Sequence, residues 1–424
     1  MSLDEFDTIR AKYPHLNAEF EVVNKIIAGG GKGALISPEV IAYAQGLELD
    51  QVTFVVERLL EGGILSKRIS HICRCGNPLS EDELADLKEC PWCDRDLAEF
   101  PPRTELRYEY VGTAPATPAL VRIAEARADR ARIAVITALP KEAAAFNAMV
   151  DDVCTVTRAT AGRVRVYDVA TSPALGGQHV IIHTCLGDMG NNVAATRAAV
   201  VLQQFPHIRY VIMLGIAGGI PYPTKSEEHV RLGDVVVSDR YGVVQYDFVK
   251  WERNEIRVRS RPNPPAAQLL EAVTRVRTEE AKGVRPWVKE LASREAPTGY
   301  ERPSVTTDIL FDSEDPNKII SHPSDPQRDP DYPRVFYGAI ASSNALLKNP
   351  LVRDKLRDTY GVKAVEMETS GIADATWDSD SGYLAIRGIC DYCNEAKSDA
   401  WQNYASLMAA AYLRALLRHL PPLS

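Results

Sequence analysis

Val365-Glu366-Met367-Glu368-Thr369 sets two carboxylates around a methionine and runs into small residues, Gly371, Ala373 and Ala375, at near-helical spacing. By itself the stretch reads as an acidic helix N-terminus, where carboxylates offset the positive end of the helix dipole. Roughly twenty residues on, Leu384-Ala385-Ile386-Arg387-Gly388-Ile389-Cys390-Asp391 reads as a buried strand that ends on a charged side chain. In open α/β sheets, ligands sit beyond the carboxyl ends of the strands. Glu368 at a helix entry and Asp391 at a strand end are therefore expected to face one pocket.

The chain upstream supports an α/β reading. Ile133 to Thr137 is an apolar run, with a helix expected over 143–149. His179 to Thr184 leads to Gly187-Asp188-Met189-Gly190-Asn191-Asn192 and a helix over 193–203. Tyr210 to Leu214 leads to Gly215-Ile216-Ala217-Gly218-Gly219, expected as a turn, and Leu232 to Ser238 adds a further strand. Apolar strands alternating with helices describe a domain with a largely buried sheet. The Ala-rich stretch from Trp401 to His419 reads as a closing core helix.

A length of 424 residues leaves room for two or three domains. The 45% hydrophobic and 25% charged content is that of an ordinary globular protein. A net charge of -8 argues against a mainly electrostatic nucleic-acid binder. With no secretory segment and no apolar run near the ~20 residues of a membrane span, a cytoplasmic protein is expected.

Ahead of the α/β domain, residues 1–72 carry three helical patterns and an alternating segment, Ile64 to Ser70, a winged-helix-like module. Its third helix, Asp50 to Glu61, offers Arg58 as its only cation. Protein docking or homo-oligomerisation is thus favoured over DNA, which is bound through Lys and Arg contacts to phosphate. Residues 73–112 hold Cys73-x-Cys75 and Cys90-x-x-Cys93, the spacing of a structural zinc ribbon, with His71 as an alternative ligand. No redox cofactor is expected. Leu106 to Tyr110 reads as a strand finishing that segment, and 113–130 as a linker before a catalytic domain over 131–424.

Taken together, Ala138-Leu139-Pro140-Lys141-Glu142, Met189-Gly190-Asn191, Gly215 to Gly219, Gly233 to Ser238, Glu366-Met367-Glu368 and Arg387 to Asp391 resemble, in order, the nucleoside phosphorylase superfamily. The likeness is to its nucleosidase branch, which includes methylthioadenosine/S-adenosylhomocysteine nucleosidase. It extends to the phosphorylase-like ATP nucleosidase domains of antiviral and NLR-type immune effectors through Asp308 to Phe311, Tyr337 to Ser342 and Lys397 to Ala405. The resemblance implies a three-layer α/β domain with a central mixed sheet. It implies Glu142 at the attacking water, Glu368 on the ribose hydroxyls with Met367 packed on the sugar, and Asp391 protonating adenine. Ala138, Gly190, Gly218 and Arg387 fall on substrate-binding positions, with Tyr392 a candidate for stacking on the base.

The chemistry agrees with those roles. Breaking an N-glycosidic bond builds positive charge on the sugar and needs a proton for the departing base. Ile216 stands where small nucleosidases carry a serine, Leu346 where they carry an aromatic, and Cys390 where they carry a serine, which weakens methylthioadenosine as the substrate. Phosphorylases place an arginine before the glycine stretch. Ile212-Met213-Leu214 is apolar, so water is the expected nucleophile. Residues 249–335 form a long insertion carrying Lys250, Arg253, Arg257, Arg259, Arg261, Arg328 and Arg334, either a phosphate-binding element or a solvated loop. The expected function is hydrolysis of adenine nucleotides, ATP or dATP first, in an antiviral role. The alternatives are a methylthioadenosine/S-adenosylhomocysteine nucleosidase, a purine nucleoside phosphorylase and a non-catalytic nucleotide sensor.

Overall fold

Hydrophobic residues gather into separate cores in the two parts of the chain, residues 1–122 and 123–424. The computed structural model describes residues 3–30, 34–74, 78–79, 87–91, 93, 95–111, 119–160, 163–253, 256–259, 263–329, 331–395 and 399–423. Cys75, Arg261, Lys397 and Ser398, singled out above, lie outside them.

In the first unit, helices Leu3–Ala11, Asn17–Gly30, Pro38–Gln45 and Leu49–Glu61 precede most of the strands. Val52, Val55, Val56 and Leu59 recur at the spacing of one helical face and are fully buried. Gly46 ends its helix at φ +64, a left-handed conformation that glycine adopts without steric cost. The Ser37 hydroxyl donates to Glu39 Oε2 at 2.8 Å and does not cap the backbone of the helix it precedes. Strands β1 (Leu35–Ile36), β2 (Leu65–Ile72), β3 (Pro78–Leu79) and β4 (Arg103–Tyr110) form a sheet in the order β1-β4-β2-β3. β4 pairs with the whole of β2, from Leu65↔Tyr110 to Ile72↔Arg103, and so belongs to the sheet that packs on the helices.

The second unit is built on nine strands. They are β5 (Ile133–Thr137), β6 (Asp151–Thr160), β7 (Arg163–Ala174), β8 (Gly177–Cys185), β9 (Tyr210–Gly219), β10 (Val235–Gln245), β15 (Val335–Ser342), β16 (Ala364–Glu366) and β17 (Gly382–Asp391). Two small hairpins, β11 (Val249–Trp251) with β12 (Ile256–Val258) and β13 (Leu310–Phe311) with β14 (Ile319–Ile320), stand apart from the large sheet. That sheet runs β16-β15-β10-β17-β9-β5-β8-β7-β6 and mixes parallel and antiparallel pairs.

β16 also pairs with β9, at Ala364↔Gly219 and Val365↔Gly218, so that five strands close on themselves. This closure corrects the expected turn. Gly215 to Gly219 continues strand β9, because both of its edges find hydrogen-bonding partners, β17 on one side and β16 on the other.

Helix Gln402–Arg418 packs against the sheet, buried on nearly every face as the Ala-rich pattern predicts. The insertion is not a solvated loop. Its helices Ala267–Ala281 and Pro286–Ala292 contribute Leu269, Ala272, Val273, Val276 and Trp287 to the main core. Among the described residues, no helix is long and apolar enough to cross a membrane.

Candidate active site

Strand register brings the site together. Gly218 lies between Asp391 on β17 and Val365 on β16, so the ends of three strands meet at one point. A side chain at Gly218 would collide with Cys393 Sγ and come within 2.9 Å of Asp391 Oδ1, and one at Gly215 would run into the carboxylate of Glu142 and the guanidinium of Arg387. Both glycines are required because Cys393 with Asp391 at one, and Glu142 with Arg387 at the other, occupy the space a Cβ would take. A cavity of about 310 Å³ opens here, lined by Ala138, Leu139, Lys141, Glu142, Met189, Ile216, Gly218, Leu346, Leu347, Val365, Glu366, Met367, Glu368, Asp391, Cys393 and Gln402, among others. Its size falls within the range of small-molecule sites.

Glu142 enters from the first turn of helix Pro140–Ala148. Its Oε2 accepts the N–H groups of Ala138 at 2.7 Å and Leu139 at 2.9 Å, and its Oε1 accepts that of Ile216 at 2.8 Å. A carboxylate has about four acceptor positions. One remains, on Oε1. Burial pushes its pKa up, against the lowering influence of Arg387 and the three N–H donors.

Glu368 precedes helix Thr369–Trp377 and is 4% exposed. Oε1 accepts from Gly190 N–H at 3.2 Å and Oε2 from Arg387 Nη2 at 3.1 Å, which leaves about two acceptor positions. Its pKa is pushed up to about 7 by burial, and further by the neighbouring Glu366 and Glu142 carboxylates, with Arg387 opposing.

Glu366 differs, although it too borders the cavity. It accepts from Glu368 N, Thr369 N and Thr369 Oγ1 at 3.1, 2.9 and 2.7 Å, and pairs with Arg387. It caps the helix, as the dipole reading supposes, while Glu368 is left to the cavity.

Asp391 Oδ1 accepts from Cys393 N–H at 2.9 Å, and Cys390 Sγ lies 3.3 Å from Oδ2. Asp391 and Glu142 approach β9 at Gly218 and Ile216 respectively, two residues apart on the strand, and both line the same cavity.

Ala138, Gly218 and Met367 line the cavity as expected. Gly190 and Arg387 act behind it, holding Glu368. Tyr392 is a correction: its ring does not line the cavity, and its hydroxyl is bound to Asp308 at 2.6 Å, where burial fixes it. The insertion also departs from the phosphate-binding expectation. Arg328 is held by both oxygens of Asp234 at 2.8 and 2.7 Å, Arg334 pairs with Asp325, and no described cation of residues 249–335 lines the cavity. Lys141 and Gln402 line the cavity without having been assigned to it in sequence, although both lie in stretches that carry the resemblance; Gln402, the hydrogen-bond partner of Lys141, is 261 residues away from it.

In the first unit, the sulfurs of Cys73, Cys90 and Cys93 lie within 4.8 Å of one another. The second pair forms a tight turn in which Cys93 N–H donates to Cys90 O at 3.3 Å and Cys90 N–H to Arg95 O at 2.9 Å. His71 is not one of the group, and its Nδ1 lies 3.4 Å from Thr104 Oγ1.

Residues 132–418 match the sequence model of the phosphorylase superfamily. A nucleotide-binding leucine-rich repeat (NLR)-like protein of Hyaloscypha variabilis is 33% identical over 265 residues, 59% of this chain and 26% of that protein. The 5'-methylthioadenosine/S-adenosylhomocysteine nucleosidase of Mycobacterium tuberculosis is 24% identical over 293 residues, 69% of this chain and 98% of that enzyme. The ATP nucleosidase Cap17 of Escherichia coli is 25% identical over 294 residues, 68% of this chain and 51% of that enzyme. The match thus spans about a quarter of the fungal protein and half of Cap17.

Proposed function

Because the chain belongs to the phosphorylase superfamily, we propose that its second unit is an N-glycosidase that hydrolyses adenine nucleotides, ATP or dATP first, and releases adenine. The acceptor positions around the cavity carry this reading. Glu368 has about two left over, enough for the two vicinal hydroxyls of the ribose in ATP or the single 3′-hydroxyl of the deoxyribose in dATP. Glu142 has one, which matches a single water, and Asp391 stands on the same cavity.

In the reaction, Asp391 gives a proton to the ring nitrogen N7 of the base as the bond from C1′ to N9 breaks and its electrons pass into the purine. Water held by Glu142 forms the new C1′–O bond, and its proton passes to the Glu142 carboxylate. Glu368 fixes the sugar through its hydroxyls and sets negative charge beside the cationic ring as it forms. Each proton transfer contributes roughly 10²–10⁴-fold.

Likeness to Cap17 supports ATP as the substrate, and a role in depleting adenine nucleotides during defence belongs to the same proposal. The second reading, a methylthioadenosine or S-adenosylhomocysteine nucleosidase, is supported by a relative matched over nearly its whole length. Incubating the protein with ATP, dATP, ADP, AMP, adenosine and methylthioadenosine, with and without phosphate, and weighing the products separates them. Free ribose 5-triphosphate and adenine from ATP support the first reading. Adenine from methylthioadenosine alone supports the second, a ribose 1-phosphate product means phosphorolysis, and tight binding without turnover means a sensor.

For the first unit we propose a structural zinc ion held by Cys73, Cys75, Cys90 and Cys93: the three of these thiols that are described lie together, and four clustered thiolates suit tetrahedral zinc.

A further inference from the structure

We propose that Lys141, oriented by Gln402, recognises the phosphate of the substrate and makes the cavity selective for a nucleotide over the bare nucleoside. This rests on the N-glycosidase reading above and names the residue that sets its substrate class.

Lys141 is the one lysine or arginine among the described residues lining the cavity. Arg387 sits behind the wall with its charge already spent on Glu366 and Glu368. The charge of Lys141 is not spent in that way. Its Nζ lies 2.5 Å from Gln402 Oε1, a neutral amide, and it makes no ion pair among the described residues. Gln402 is fixed in turn, with its Nε2 donating to Asp399 Oδ1 at 2.6 Å, so the amide oxygen faces the ammonium. The main chain at Lys141 is held as well, by the Tyr300 hydroxyl donating to its carbonyl at 2.8 Å.

Position gives the charge its meaning. Lys141 immediately precedes Glu142 in the first helical turn. With the base at Asp391 and the ribose hydroxyls at Glu368, neither role uses Lys141, which lines the same cavity beside Gln402 and so offers its charge to the 5′ substituent. An ammonium with three donors is suited to phosphate oxygens, and exchanging an amide partner for a phosphate gains a charge-assisted bond. The cations of the insertion do not compete for the role, since none that is described reaches the cavity.

The test measures kcat/KM for base release from ATP, AMP and adenosine in wild type, Lys141→Met and Lys141→Arg, with thermal melts confirming each fold. The nucleotide-to-nucleoside ratio is expected to fall about tenfold or more in Lys141→Met, mainly through KM, and to be largely kept in Lys141→Arg. An unchanged ratio with base release intact overturns the role of Lys141 and leaves the N-glycosidase reading standing. Wild type cleaving adenosine as efficiently as AMP overturns it too. If wild type releases no base from any substrate, the N-glycosidase reading fails, and titration calorimetry of AMP decides the inference separately. Weaker binding by Lys141→Met then supports phosphate recognition, and equal binding overturns it.

Discussion

The guanidinium of Arg387 on β17 meets the carboxylate of Glu368 at 3.1 Å, with side chains 0% and 5% exposed. The same guanidinium pairs with Glu366, and its charge acts on Glu142. One cation thus serves three buried carboxylates. Backbone N–H groups share the work of holding these carboxylates, and burial pushes the pKa values of Glu142 and Glu368 up.

Arg387→Met leaves two buried carboxylates without their ion pair. We expect a loss of about 3–5 kcal/mol of unfolding free energy, as for breaking other buried pairs. Urea unfolding measures it, and a loss within the error of wild type would contradict the pairing.

Stability and activity have opposite pH dependences. The folded-state pKa of Glu368, about 7, lies above its ordinary value of 4.5, so the folded protein binds more protons between those limits. The resulting stabilisation is complete below about pH 4.5 and disappears as pH rises through about 7. The melting temperature of wild type is expected to fall between pH 5 and 8 more steeply than that of Glu368→Gln. Sugar binding needs the ionised form, so kcat/KM should rise through an acid limb near pH 7 that belongs to the cluster as a whole. Glu366→Gln removes a neighbouring negative charge and should move that limb to lower pH.

Asp391→Asn keeps the size of the side chain and removes the acid. Adenine release is expected to drop roughly 10²–10⁴-fold with an unchanged melting curve. Chromatographic assay of free base reads the result, and wild-type turnover would take Asp391 out of the reaction.

Gly218→Ala places a methyl group against Cys393 Sγ and 2.9 Å from Asp391 Oδ1. Base release is expected to fall by at least about tenfold. Removing the sulfur in Gly218→Ala/Cys393→Ala should restore part of it. Absence of any rescue would place the damage elsewhere.

Zinc is expected in the purified protein at one ion per chain, measured by mass spectrometry of the metal. Cys90→Ser should lose it and lower the first melting transition. A metal-free wild type with reactive thiols would remove the zinc ion from the first unit.

The sequence by itself determined the elements and the chemistry offered at their ends. Apolar runs at Ile133 to Thr137 and Leu384 to Ile389 could only be buried strands, and the Ala-rich stretch before Leu420 could only pack as a core helix. Glu368 and Asp391 were legible because one opens a helix and the other closes a strand, and periodicity is a local property of the chain, whereas Glu142 was legible through the family resemblance. What the tertiary structure decided was who meets whom. Gly215 to Gly219 is a strand because β16 returns to pair with it, Tyr392 turns to Asp308, and Arg328 is taken by Asp234. Gln402 reaches Lys141 across 261 residues. Such contacts depend on how distant segments fill a shared volume and satisfy buried polar groups, and no local pattern encodes that.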